Sequence, residues 1–140
     1  MLTRRHLWAA FAALALLAGC ASAPSTSQHP PIVFVHGNGD SAALWQTTLW
    51  RFESNGWPRE RLFAPEIAYP LARDDDGKPQ PGRSGTAEQL AFVKAAVERA
   101  LAATGARQAV LVANSRGGYA VRNYIQNGGG QQAGASFNIG

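Results

Sequence analysis

The chain has 140 residues, 46% of them apolar, 16% charged, and a single cysteine. That composition fits a core-forming globular domain and excludes a disulfide framework and a disordered polyelectrolyte. The net charge of +4 comes partly from the first residues and otherwise from scattered arginines. With no basic run interleaved with aromatics, it points to no nucleic-acid partner.

Residues 1–20 have the layout of an export signal. Arg4 and Arg5 open it, Leu7 to Ala18 is wholly apolar, and small residues follow. Such a core is too short for a stable membrane span. Its end, Leu17-Ala18-Gly19-Cys20, resembles the bacterial lipobox. That resemblance implies cleavage before Cys20 and acylation of it. Each buried methylene adds roughly 0.8 kcal/mol, so several acyl chains anchor permanently. The alternative is an ordinary signal with an incidental cysteine. Thr3-Arg4-Arg5-His6-Leu7 also resembles a twin-arginine signal, which leaves the export route open. Ala21, in place of an aspartate after the cysteine, favours the outer membrane, facing the periplasm. Residues 21–30 read as a flexible tether with His29 as a solvated residue, and residues 31–140 as the domain.

Pro31 to Val35 predicts the first strand. His36-Gly37-Asn38-Gly39 turns out of it, and Asp40 or Ser41 is expected to cap a helix with Leu44, Trp45, Leu49 and Phe52 on its apolar side. Gly56 and Pro58 end that helix. Arg61 to Ala68 predicts a second strand, distorted or edge-like at Pro65. Pro70 to Gly85 reads as a long surface loop that can rim a site. Asp74-Asp75-Asp76-Gly77 lacks the alternating spacing and later glutamate of a calcium loop. Thr86-Ala87-Glu88-Gln89 reads as a capping box with Thr86 at the cap. It opens a helix with Leu90, Val93, Val97 and Leu101 on one stripe, closed by Gly105.

Ala109 to Ala113 is a short apolar run, the pattern of a strand buried on both faces. Asn114-Ser115-Arg116-Gly117-Gly118 follows, and Tyr119 to Gln126 predicts a helix. A serine on a sharp strand-to-helix turn needs small residues two before and two after it; here these are Ala113 and Gly117. In return its oxygen stands clear of the sheet, the geometry of a nucleophile elbow. The pentapeptide is short, and its context is what makes it specific. That context is the strand before, the helix after, and a second glycine turn at His36-Gly37 after another strand. Alternating strands and helices predict an α/β fold, a parallel sheet of about three strands with helices on both faces. Both turns then fall at carboxyl ends of strands, where such sheets bind ligands.

With these turns, Ile32 to Gly39 and Val110 to Gly118 resemble the α/β-hydrolase family, in its bacterial lipase and esterase branch. The resemblance covers the amino-terminal half of that fold, Pro31 to about Gln126. It implies a hydrolase of carboxylic esters with Ser115 as nucleophile. Oxyanion donors would be the backbone N–H groups of Asn38 and Arg116, each worth ~3 kcal/mol in the transition state. It gives His36 a structural role in the oxyanion turn beside Gly37. No metal or organic cofactor is implied. Substrates would be small esters or lipids, and oligomeric state is left open. The Arg116 side chain suggests a preference for anionic substrates from its position alone.

The family's order is serine, acid, histidine, yet no Asp, Glu or His follows Ser115. The expectation is a truncated amino-terminal part, inactive alone, whose last strand has an unpaired edge. Two other readings stand beside the hydrolase: a non-catalytic envelope lipoprotein that binds through this scaffold, and an acyltransferase.

Overall fold

The structure is a computed structural model describing residues 29–140. The signal, Cys20 and most of the tether lie outside the described residues. Strand β1 (Ile32–Val35) is completely buried, and its four apolar residues face both sides of the sheet. A 3-10 turn (Ala42–Trp45) leads into α1 (Gln46–Ser54). Strand β2 is Leu62–Phe63, and β3 (Leu71–Ala72) and β4 (Arg83–Ser84) pair within the long loop. Then come α2 (Thr86–Thr104), β5 (Ala109–Ala113), α3 (Arg116–Tyr124), a π-helical segment (Ile125–Gly129) and β6 (Ala133–Asn138).

The main sheet is parallel throughout, in the order β2-β1-β5-β6. It has four strands, one more than the alternation predicts. The last strand expected, β5, is paired on both sides, because residues after α3 form β6, and the open edge moves out to β6. The segment Ala-Gly-Ala-Ser-Phe-Asn alternates only weakly, with two alanines and Phe137 against Gly, Ser and Asn; pairing with β5 makes it a strand, with a register shift between Ala109 and Val110. At the other edge β2 is only two residues long, because the chain runs into Pro65 and leaves the ladder.

Apolar residues on the two sheet faces form two cores. On one face Val33, Val35, Leu111 and Ala113 pack against Val93, Ala96 and Val97 of α2 and Val121 and Tyr124 of α3. On the other, Ile32, Phe34 and Leu62 pack against Trp45 and Leu49. Helices therefore cover both faces, as predicted. The exposed stripe positions shift slightly. Leu44 is 43% exposed, and α2 buries Gln89, Val93, Ala96, Val97 and Ala100. Leu90 and Leu101 are only half-buried, because alanines let the helix lie closer to the sheet. His29 is not a free solvated side chain. Its ring lies 4.4 Å from that of Trp57.

The helix starts differ from expectation in an informative way. Neither Asp40 nor Ser41 caps the first helix by its side chain. Glu66, from beyond β2, accepts the Ala42 N–H at 2.8 Å. At α2 the cap is Gly85, one residue before the expected Thr86. Glycine has no side-chain acceptor, so only half a capping box forms, with Glu88 Oε2 accepting the Gly85 N–H at 3.0 Å. Asp76 adds a cap from the loop, accepting the Thr86 N–H at 2.6 Å.

Glu88 also pairs with Arg73. Its carboxyl is held below the ordinary value by backbone hydrogen bonds first and by the Arg73 charge second. A carboxylate with a lowered folded-state pKa stabilises above its unfolded value and loses that contribution as pH falls. Glu88→Gln is therefore expected to lower Tm at pH 7. Thermal melts of the two proteins should converge as pH drops below the unfolded value of 4.5. An equal deficit at pH 7 and pH 3 would contradict this assignment.

Candidate active site

Strand β5 delivers the chain to the carboxyl edge of the sheet, and α3 begins only two residues later. That reversal is too tight for ordinary backbone angles. Ser115 takes φ 48° and ψ −122°, and it is the one non-glycine residue with positive φ among the described residues. Such a conformation costs on the order of 1–3 kcal/mol and persists only where its surroundings enforce it. The enforcement is visible. Asn114 N–H bonds to Val35 O at 3.0 Å, and Gly117 and Gly118 N–H groups close onto Asn114 O and Ser115 O at 2.8 and 2.9 Å. Ser115 is exposed, whereas Ala113 and Gly117 on either side are buried.

The two small residues have different duties. A methyl group on Gly117 would lie 2.5 Å from Val35 O and 2.8 Å from His36 O. Helix α3 therefore enters directly against the end of β1. A methyl on Gly37 would lie 3.0 Å from Ser115 Cβ and 3.0 Å from Asn114 Oδ1. The glycine turn after β1 and the elbow after β5 thus stand in contact, as their strand positions predict. Asn38 follows Gly37 and is exposed at the mouth of this junction. Arg116 is the first residue of α3, so its N–H has no partner within the helix.

His36 is 1% exposed beneath the turn. Its Nε2 accepts the Ile67 N–H at 3.1 Å, which places the ring proton on Nδ1, and Nδ1–H donates to Gly37 O at 3.3 Å. Glu66 Oε1 lies 3.3 Å from Nε2. Both ring nitrogens are thus taken up by main chain, leaving none to serve Ser115. His36 pins the segment after β2 to the turn after β1.

The Arg116 guanidinium is taken up by the loop before α2. It donates to Pro70 O at 3.2 Å and, through Nη2, to Ser84 O at 2.6 Å, with Ser84 Oγ at 3.4 Å. Burial lowers its pKa from the ordinary arginine value, opposed by the charges of Asp76 and Glu88. Ser84 and Gln89 are buried polar residues that the sequence did not mark. Gln89 Nε2 donates to Ser84 Oγ at 2.7 Å, and that hydroxyl donates to Tyr69 O at 2.7 Å. The polar Gln89 next to the apolar Leu90 stripe was the one available signal.

Ser115 opens into a cleft of about 320 Å³, lined also by Gly118, Tyr119, Arg122, Asn138 and Gly140. Strand β6, absent from the sequence reading, forms part of this wall. Asn138 packs so closely on α3 that a methyl on Gly118 would lie 2.5 Å from it. Asn114 Nδ2 donates to Ile139 O at 2.8 Å, fastening the elbow to the strand end.

A family model described as Lipase (class 2) matches residues 29–139. The chain belongs to the class 2 lipase family. No relative among curated proteins matches it significantly. Among solved structures, this class 2 lipase chain is similar to three proteins. The first is the product of the gene lin2722 of Listeria innocua, with 17% identity, a TM-score of 0.55, and cover of 80% of this chain and 51% of that one. The second is an extracellular α/β-hydrolase from a Paenibacillus species, with 16% identity, a TM-score of 0.51, and cover of 79% and 40%. The third is carboxylesterase CesB of Bacillus subtilis, with 20% identity, a TM-score of 0.50, and cover of 81% and 35%. At these identities the likeness establishes the fold. The aligned part amounts to about half or less of each of those chains. No helix among the described residues is long and apolar enough to cross a membrane.

The Gly117 contact yields a direct expectation. Gly117→Ala drives a methyl into two backbone carbonyls that cannot turn aside. It is expected to destabilise the fold by about 1–3 kcal/mol, the usual cost of overpacking. Denaturant titration of the variant measures it. A wild-type midpoint would show that α3 does not press on β1 as described.

Proposed function

We propose that this class 2 lipase chain is part of a serine hydrolase of carboxylic esters, with Ser115 as nucleophile. The observation that carries the reading is the strained, exposed backbone of Ser115, standing against Gly37 at the carboxyl edge of a parallel sheet. In the proposed reaction Ser115 Oγ attacks the ester carbonyl carbon, and its proton passes to a histidine base. The carbonyl electron pair moves onto oxygen, which accepts hydrogen bonds from the N–H groups of Asn38 and Arg116. The α3 dipole adds to this field. Collapse of the intermediate expels the alcohol, which takes the proton from the base. Water then releases the acid by the same steps.

The base and acid belong, in this proposal, to sequence beyond Gly140, since none follows Ser115 here and His36 is committed to main chain. Residues 1–140 expressed alone are accordingly expected to show no turnover. The same observation favours a second reading, a non-catalytic lipoprotein that binds through the hydrolase scaffold. An acyltransferase shares the first step and differs only in the acceptor, so product analysis separates it. The chain is proposed to be exported and held at the outer membrane, facing the periplasm, by acyl groups on Cys20. The extracellular Paenibacillus relative in fold is consistent with export. Acyl labelling that survives Cys20→Ser would remove the anchor.

The test is treatment of the full-length protein with a fluorophosphonate, in which Ser115 Oγ displaces fluoride from phosphorus. Labelling is expected at Ser115, with Ser115→Ala lowering ester hydrolysis by about 10⁴-fold or more. Absence of labelling in a folded full-length protein would favour the binding module instead.

A further inference from the structure

The loop between β2 and α2 touches both turns of the proposed site, and it does so through few atoms. Pro70 O accepts the Gly39 N–H at 3.3 Å and Arg116 Nη1 at 3.2 Å. One carbonyl therefore joins the turn after β1 to the elbow after β5. Asn38 Oδ1 accepts the Ala72 N–H at 2.6 Å, from β3 of the same loop. The second prong of Arg116 holds Ser84 O, at β4. Strands β3 and β4 pair Leu71 with Arg83 and Ala72 with Ser84, so these anchor points belong to one small sheet. Buried Gln89 and Ser84 fix that sheet to α2 and to Tyr69.

The two residues proposed to donate backbone N–H groups to the oxyanion thus spend their side chains on one scaffold. We propose that the β3–β4 loop sets the spacing of these two donors, with the Asn38 and Arg116 side chains as positioning groups. This rests on the ester-hydrolase reading. Oxyanion donors act in proportion to how accurately they are aimed before the charge develops. A donor pair that drifts still admits the ground-state ester, whose carbonyl demands less. The cost of loosening the loop therefore falls on kcat and leaves KM nearly unchanged. A guanidinium suits this task because its planar fork reaches two acceptors in fixed geometry, which an ammonium cannot do. Asn38 gives the cleaner probe. Its bond to Ala72 is exposed to solvent, so water can satisfy the Ala72 N–H after truncation.

The experiment uses the full-length protein and p-nitrophenyl butyrate, with Asn38→Ala, Arg116→Gln and Arg116→Lys. Asn38→Ala and Arg116→Gln are expected to lower kcat about tenfold or more, short of the ~10²–10³ seen when a donor is deleted outright. KM should stay within about threefold. Affinity for a trifluoromethyl ketone, which forms an oxyanion adduct with the serine, should fall in step with kcat/KM. Arg116→Lys should remain well below wild type, because charge without the fork does not restore the bridge. Should Arg116→Gln fail to fold, Asn38→Ala decides. Wild-type kcat in folded Asn38→Ala, or full recovery in Arg116→Lys, would overturn the proposal. Ser115→Ala run in parallel keeps the two ideas apart. If it abolishes activity while the positioning variants keep theirs, only the loop's role falls. If Ser115→Ala stays active, the ester-hydrolase reading falls and takes this inference with it.

Discussion

The contact on which the site depends is between the first turn of α3 and the carbonyls at and just after the end of β1. Gly117 lies where even a methyl group would strike Val35 O and His36 O. That contact brings the elbow onto the neighbouring strand, and the neighbouring turn at Gly37 onto Ser115. Strain at Ser115 is the consequence. The chain must pass from a central strand of the sheet to a helix in two residues, and Ser115 does so at an unfavourable φ. The packed sheet supplies the energy that keeps Ser115 there, because relaxing it would lift α3 off Val33, Val35 and Leu111.

Around this junction the polar groups are organised as bridges between segments distant in sequence. His36 ties the turn after β1 to Ile67, Glu66 ties the segment after β2 to the start of the first helix, and Arg116 ties the elbow to Pro70 and Ser84. Buried polar groups must be paired, since leaving one unsatisfied costs about 1–3 kcal/mol. That constraint acts on the buried His36 bridge; the Glu66 and Arg116 bridges are more exposed. The aspartates of the loop serve the same end. Asp74 binds Gln80, Asp75 accepts the Gly77 N–H, and Asp76 caps α2. The stretch is the surface loop that the sequence predicts, and it is braced as well.

What the sequence revealed were the elements whose formation is locally determined. The apolar runs at Ile32–Val35 and Ala109–Ala113 and the small residues around Ser115 carry their own signal, so the parallel order and the meeting of the two turns were legible. Strand β6 was not, because Ala133 to Asn138 becomes a strand only by lying against β5. The cap of α2 was displaced by one residue because Asp76, ten positions earlier, competes for the Thr86 N–H. The partners of the Arg116 side chain were hidden for a related reason. Its place after the serine suggests a role toward substrate, but three acceptors from a loop over thirty residues away in sequence claim it. Cys20 and the export signal, read wholly from the sequence, lie outside the described residues.

The central claim is that Ser115 Oγ faces a carbonyl whose developing charge would fall between the Asn38 and Arg116 amides. The most direct measurement is a crystal structure of the full-length protein after reaction with a phosphonate ester. The account predicts phosphorus bonded to Ser115 Oγ and the phosphoryl oxygen at ~2.7–3.1 Å from both amide nitrogens. A phosphonate attached to another residue, or an oxygen on Ser115 directed to solvent away from both amides, would contradict it.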